Sequence, residues 1–235
     1  MTDPEELEDD LGPALRPGDH HYRAYVGPPA DYDLIAALSA SLLFCLGLTE
    51  HHRLVDLGCG SLRVGRVLIP YLAAGNYTGL EPNRWLIDEG IAHNIGADLV
   101  RLRQPRFLER DDFTISTDGT RYDFVLAQSI FSHTQSTLLK HALARVGDAL
   151  EEDGVLVATF VLDDQKEDVA GSAWVYPEVT SFRWASVQSA LLDAGLLGTI
   201  IDWPHPRQQW FIASPSENRV RELSRIRRPF SADVG

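Results

Sequence analysis

The sequence predicts an α/β fold: a Rossmann-like, doubly wound sheet of seven mostly parallel strands, with helices on both faces and an N-terminal helical cap. Three observations predict it. Short apolar runs alternate with stretches of helical periodicity from residue 53 to residue 162, the pattern of strand–helix–strand units around a parallel sheet. The run Leu54-Val55-Asp56-Leu57 stops at Gly58-Cys59-Gly60, a strand-to-turn junction where missing Cβ atoms let a ligand approach the main chain. Finally, 235 residues with 44% hydrophobic content suffice for one α/β domain with a sizeable core.

Taken in order, residues 1–18 hold Asp, Glu, Pro and Gly with few apolar anchors, and read as a disordered acidic leader. Residues 19–50 form the cap. Leu34, Ile35, Leu38, Leu42, Leu43 and Leu46 recur there at helical spacing from Asp31, and Gly47 marks the stop. The main domain is expected over 51–215. It opens with strand 53–57, helix 61–72, strand 77–81 and helix 83–94, continues with strands 106–110 and 122–127, helix 136–149 and strand 155–162, and closes with helix 184–194 and strands 197–202 and 208–214. A tail, 216–235, holds Arg219, Arg221, Arg225, Arg227 and Arg228 interspersed with Glu217 and Glu222. It reads either as a solvated helix with local ion pairs or as a contact to an acidic partner or subunit.

Composition excludes several function classes. A formal net charge of −13 repels a phosphate backbone, so no nucleic-acid partner is expected. No apolar stretch approaches the ~20 residues of a membrane span, and Met1 to Asp10 is acidic, unlike a secretory signal; a cytoplasmic protein without a membrane partner is expected. The two cysteines, Cys45 and Cys59, have neither metal-site spacing nor a disulfide framework.

The glycine turn carries the chemistry. A helix starting near Ser61 would present unpaired N–H groups to a nucleotide-like ligand. The dinucleotide fingerprint needs a third glycine at position 63, which is Arg63. Asp56, two residues before the first glycine, would repel a pyrophosphate but attract an ammonium group. Glu81 ends the next strand near the ~20-residue spacing at which an acid binds a ribose diol. A cationic amino-acid cofactor follows from this set.

With Asp56, Gly58, Gly60 and Glu81 in that order, residues 50 to 214 resemble the class I S-adenosylmethionine-dependent methyltransferases, whose first motif is an acid-x-Gly-x-Gly turn and whose second ends the next strand with an acid. The resemblance implies S-adenosyl-L-methionine as cofactor. Asp56 would orient its amino group through water or backbone, with Gly58, Cys59 and Gly60 along its methionine portion and Glu81 on its ribose. Leu62 stands where many members have a third glycine, which leaves the methionine carboxylate to Ser61 or to backbone. Asp111 or Asp112, with Asp112 preferred, would hold the adenine amino group, and Phe113 would pack on the ring. Tyr122 to Ser129 resembles the fourth strand, whose exit at Gln128 and Ser129 would lie beside the reactive methyl; Glu152 to Phe160 resembles the Gly-led fifth.

Methyl transfer from a sulfonium is an in-line displacement, helped by alignment and, where needed, by removal of the acceptor's proton. His133, just past the fourth strand, is the candidate base; its alternative is packing at a helix start or on the cofactor. His20, His21 and His205 are weaker candidates of the same kind. Acceptor contacts are expected from Phe131, from Trp174 and Tyr176 in the long 163–183 connection, which reads as a lid, and from His205 in the 203–210 turn. Ala127-Gln128-Ser129-Ile130 contains neither an Asn/Asp-Pro-Pro-aromatic motif nor an acidic metal ligand, and Asp163-Asp164 reads as a solvated turn. The expectation is metal-independent O- or N-methylation of a small molecule. Two alternatives stay open: a non-catalytic S-adenosylmethionine-binding or scaffold domain, and a nicotinamide-dependent oxidoreductase, which rests on the glycine turn alone and is opposed by Arg63.

Overall fold

A computed structural model describes residues 11–116 and 118–226. The first ten residues of the acidic leader, and Arg227 and Arg228 of the basic tail, lie outside the described residues. Seven strands form one sheet: β1 (Leu54–Leu57), β2 (Tyr77–Leu80), β3 (Arg106–Leu108), β4 (Tyr122–Ala127), β5 (Leu150–Phe160), β6 (Leu197–Ile201) and β7 (Gln209–Ser214). Their order is β3-β2-β1-β4-β5-β7-β6. Pairing is parallel except at β7, which runs antiparallel to both β5 and β6. The chain order reverses between β1 and β4, and a doubly wound sheet opens its ligand crevice beyond the strand ends at such a switch point.

The helices are α1 (Tyr32–Cys45), α2 (Gly65–Tyr71), α3 (Arg84–Gly90), α4 (Gly96–Arg103), α5 (Ser136–Ala149), α6 (Trp184–Asp193) and α7 (Glu217–Leu223). They cover both faces. On one face, Val55 and Leu57 of β1 and Val125 of β4 pack with Leu139, Leu143 and Val146 of α5 and with Val187 and Leu191 of α6. On the other, Leu54, Phe124 and Leu126 pack with Leu42, Leu43 and Leu46 around α1 and with Leu68 and Ile69 of α2. The strand period of two assigns alternate residues to opposite faces. Asp56 therefore shares the α1–α2 side with Leu54, a carboxylate placed inside a core.

Four expectations need correction. The helix after β1 begins at Gly65, not Ser61, because Leu62 at φ 59° breaks helical geometry and leaves 61–64 as a turn. The segment after β2 does not end at residue 94: α3 passes through a π-turn at Ile91–Ile95 into α4. No residue of α4 is buried, so it has no apolar stripe to betray it. Strand β3 ends at Leu108 rather than 110. Strand β5 starts five residues before the expected 155, because a Cβ on Gly154 would lie 2.8 Å from the Tyr122 carbonyl oxygen and only glycine lets the strands approach there. In the tail, α7 carries the ion pairs Arg221–Glu217 and Arg219–Glu222, buries Leu223 and bonds Arg219 to the Leu46 carbonyl.

Candidate active site

The glycine turn is a closed hydrogen-bonded unit. The N–H groups of Gly58 and Cys59 both donate to the Leu80 carbonyl of β2, at 2.8 and 3.1 Å, and the Gly60 N–H donates to Glu81 Oε2 at 3.2 Å. The glycines take φ values of 72° and 51°, a region that costs a residue bearing Cβ. Ser61 is fully buried, its hydroxyl 3.0 Å from the Tyr32 hydroxyl and its carbonyl accepting from Asn94 Nδ2 at 2.8 Å. The π-turn aims Asn94 at this carbonyl. Turn N–H groups expected to await a ligand are thus largely engaged within the protein, and the short α2 starts beyond them.

Glu81 is buried and already organised. Its Oε1 accepts from the backbone and side-chain N–H of Asn83 at 2.9 and 2.8 Å, and burial raises its pKa against those bonds. Asp56 lies deeper: Tyr77 Oη donates to Oδ2 at 2.8 Å, and burial pushes the carboxyl up to about 6. Cys59 is buried with its sulfur against Gly79, where a Cβ would come within 2.7 Å; burial raises its pKa far above the usual thiol value.

At the β4 exit a polar chain runs across the sheet. Gln128 Oε1 accepts from Arg63, Gln128 Nε2 donates to Ser129 Oγ at 2.7 Å, and Gln208 Nε2 donates to the same hydroxyl at 2.8 Å. Ser129 takes φ 58°, held there by its N–H on Thr159 Oγ1 of β5 at 2.8 Å. The buried Gln208 Oε1 has no partner. His205 Nδ1 accepts from the backbone N–H of Arg207 and Gln208 at 3.1 and 2.9 Å, and burial drives its pKa down to about 4.

Two segments meet above these groups. The strap 18–31 places Val26 over Gly60, where a Cβ would lie 2.5 Å from Val26 Cγ1, and gives its carbonyl to Arg63. The 163–183 connection folds back onto the strap through the Tyr176 hydroxyl, which donates to the Tyr25 carbonyl. Tyr176 also packs edge-on against His133, with ring centroids 4.9 Å apart. His133 Nδ1 lies 2.6 Å from the Glu178 carbonyl, which places its proton on Nδ1 and the lone pair on Nε2. Burial lowers its pKa.

The other expected residues divide. Trp174 stacks on Phe113 at 5.2 Å, so these two lie together. Phe113 is buried in the core and Phe131 is wholly enclosed against Phe160, so neither ring is open to a ligand as placed. Asp111 and Asp112 are exposed, and Asp112 Oδ1 holds the Thr114 N–H at 2.9 Å. His20 stacks on Trp85 at 4.3 Å, and the His21 ring accepts from the Arg23 N–H. Asp163 pairs with Lys166, and Asp164 accepts from the Trp184 N–H at the start of α6. No group of three or more metal-ligating side chains is assembled among the described residues. A cavity of about 470 Å³ lined by His52, Asp123, Glu151 and Arg219 sits at the opposite strand ends, away from every group above. Sequence reasoning used Arg63 only to exclude a dinucleotide and overlooked the strap and Gln208; a cation on a glycine turn was the one available signal.

Residues 55–156 match a family model described as a methyltransferase domain. No curated protein matches the chain. Among solved structures, the fold is similar to magnesium protoporphyrin IX methyltransferase from Synechocystis PCC 6803 with bound S-adenosylhomocysteine, with 13% identity, TM-score 0.60, and coverage of 80% of this chain and 84% of that one. It is also similar to the DhpI–S-adenosylhomocysteine complex, with 20% identity, TM-score 0.58, and coverage of 92% and 100%. CalS10, an amino pentose methyltransferase from Micromonospora echinaspora, aligns with 14% identity, TM-score 0.57, and coverage of 79% and 92%. Residues 55–156 thus match a methyltransferase domain in sequence, and the whole sheet shares the fold of solved methyltransferases that bind S-adenosylmethionine or S-adenosylhomocysteine.

Proposed function

We propose that the chain methylates a hydroxyl or amine of a small molecule, without a metal, at the strand ends where the strap and the lid meet. The observation that carries this reading is the tie between the Tyr176 hydroxyl and the Tyr25 carbonyl. It joins two chain segments over the β1 and β4 exits, a cover that suits a small acceptor better than a macromolecular one. The net charge of −13 opposes a nucleic acid as well.

The residues present fit the cofactor. Buried Glu81 has acceptor capacity left for a ribose diol beyond its bonds to Gly60 and Asn83, and Gly58, Cys59 and Gly60 form a backbone shelf beside it. Asp56 acts through Tyr77 and the turn rather than by touching the ligand. Ser61 supports the turn from beneath, Gln128 and Ser129 line the β4 exit, and Asp111 or Asp112 with Phe113 border the adenine end. When bound, the cofactor supplies a methyl group on a sulfonium, an electrophile with a neutral leaving group. The protein aligns the acceptor and excludes water, a contribution that can supply most of the acceleration. His133 Nε2 takes the acceptor's proton, with Nδ1–H anchored on Glu178. Trp174, Tyr176 and His205 face the acceptor; Phe131 shapes the site from within the core.

The test is release of S-adenosylhomocysteine from S-adenosylmethionine across a panel of small hydroxyl and amine acceptors. Turnover with members of one class supports the reading. Tight cofactor binding with no turnover on small molecules, but methylation of a protein or RNA fraction, overturns it.

A further inference from the structure

The turn after β1 carries a cation that the chemistry above does not use. Arg63 is 9% exposed, and its hydrogen bonds go to two neutral oxygens: the Val26 carbonyl at 2.8 Å and Gln128 Oε1. Nearby guanidiniums have acids, Arg66 with Asp33 and Arg207 with Asp31, but no ion pair among the described residues includes Arg63. Asp56, the acid that attracts it, is bonded to Tyr77. Burial of an unpaired charge is expensive, and a guanidinium has five N–H donors, more than two neutral oxygens satisfy.

Two further donors face the same place. Arg63 fixes the Gln128 amide with Oε1 toward itself, which turns Nε2 toward His205. His205 Nδ1 already accepts two backbone N–H groups, so the neutral ring carries its proton on Nε2, 3.2 Å from Gln128 Nε2. One Gln128 N–H is on Ser129 Oγ, and the other faces the His205 N–H with no acceptor between the two nitrogens. Arg207, paired with Asp31, stands beyond His205, and both it and Arg63 oppose protonation of the ring.

We propose that Arg63, helped by the N–H groups of Gln128 and His205, holds a carboxylate-class anion above the glycine turn. The proposal rests on the reading that the cofactor and acceptor bind at these strand ends. The anion comes either from the amino-acid end of the cofactor or from an acidic acceptor, and a planar, forked guanidinium suits either one. Where the cofactor supplies the anion, Arg63 receives the carboxylate that the sequence assigned to Ser61 or to backbone.

The experiment measures calorimetric affinities of the wild type, Arg63→Met and Arg63→Lys for S-adenosylhomocysteine and for its decarboxylated analogue, S-adenosyl-3-thiopropylamine. Melting temperatures are measured in parallel with added acetate or inorganic phosphate at fixed ionic strength, with and without saturating S-adenosylhomocysteine. If the cofactor supplies the anion, the wild type prefers S-adenosylhomocysteine by about 30-fold and Arg63→Met by less than about 3-fold, with Arg63→Lys between. If the acceptor supplies it, the wild type binds the two ligands equally, and acetate or phosphate stabilises the S-adenosylhomocysteine-saturated wild type by several degrees but not Arg63→Met. Equal preference and equal anion response in the wild type and both variants overturn the subsite. Should the wild type fail to bind S-adenosylhomocysteine while anions still stabilise it and not Arg63→Met, the subsite stands and the cofactor reading falls. Arg63→Lys retains the charge if Arg63→Met fails to fold, and a Lys variant with wild-type preference also refutes the forked contact.

Discussion

Asp56 is legible in sequence as a strand-end acid, and in three dimensions it is buried and hydrogen-bonded to Tyr77. Its carboxyl is raised to about 6 by burial, against the Tyr77 hydrogen bond and the attraction of Arg63. A folded pKa above the unfolded value means that the stability it confers is fully present below the unfolded value and is lost as pH rises through about 6. The rise from 3.8 to about 6 corresponds to a penalty on the order of 3 kcal/mol at neutral pH. Asp56→Asn should therefore match the wild type near pH 4 and gain stability relative to it toward pH 7.5, read from urea unfolding at both values; a difference independent of pH contradicts the burial argument. His133 is held neutral by the same physics with opposite sign. Its pKa is lowered from 6.5 by burial, so the acid limb of kcat/KM should lie below pH 6.5. His133→Asn should lower turnover by about 100-fold while S-adenosylhomocysteine affinity stays within about 3-fold. Full turnover at saturating cofactor would remove the base and leave a ring that packs against Tyr176.

At the scale of elements, the glycines of the turn serve packing as much as ligand approach. A Cβ on Gly58 would lie 2.0 Å from Ile130 Cδ1, and one on Gly90 of α3 would lie 2.6 Å from the Ser61 carbonyl oxygen. Gly58→Val should therefore destabilise the ligand-free chain by about 3 kcal/mol or more, since overpacking and a positive φ add; wild-type unfolding without ligand would restrict that glycine to a binding role. The strap and lid make a second prediction. Tyr176→Phe removes only the hydroxyl that ties Tyr176 to Tyr25, so it should speed amide exchange over residues 22–27 and leave global stability nearly unchanged. Unaltered exchange would mean that Val26, through Arg63, suffices to hold the strap. These elements also show what was readable. Leu139, Leu143 and Val146 in α5 and Leu42, Leu43 and Leu46 around α1 repeat at helical spacing because each buries one stripe, and both helices were foreseen nearly to the residue. The exposed α4 has no such stripe, and the early start of β5 depends on one glycine meeting a carbonyl across the sheet, which no local pattern encodes. That the glycine turn and Glu81 meet at adjacent strand ends was legible because each is a local strand-end pattern. Arg63's neutral partners and the contact of Tyr176 with Tyr25 join residues far apart in sequence, and such pairings are set by the tertiary fold alone.

For the whole molecule, sheet order and charge set what can reach the site. The reversal between β1 and β4 places the glycine turn, Glu81, Gln128 and Ser129 at one set of strand ends, and the net charge of −13 opposes the approach of a polyanion. Fluorescence anisotropy with labelled RNA and duplex DNA at physiological salt should show no binding; salt-dependent retention of either would reopen a nucleic-acid acceptor. The described residues include no helix long and apolar enough to cross a membrane. The most direct test of the central claim, an S-adenosylmethionine site built on the β1 turn and the β2 acid, is calorimetric titration of S-adenosylhomocysteine into the wild type and into Glu81→Ala, with circular dichroism confirming that the variant folds. The account predicts one site per chain in the wild type and an affinity about 30-fold weaker in Glu81→Ala, the loss of charged hydrogen bonds worth about 2 kcal/mol. Absence of binding to the wild type, or equal affinity in a folded Glu81→Ala, would contradict it.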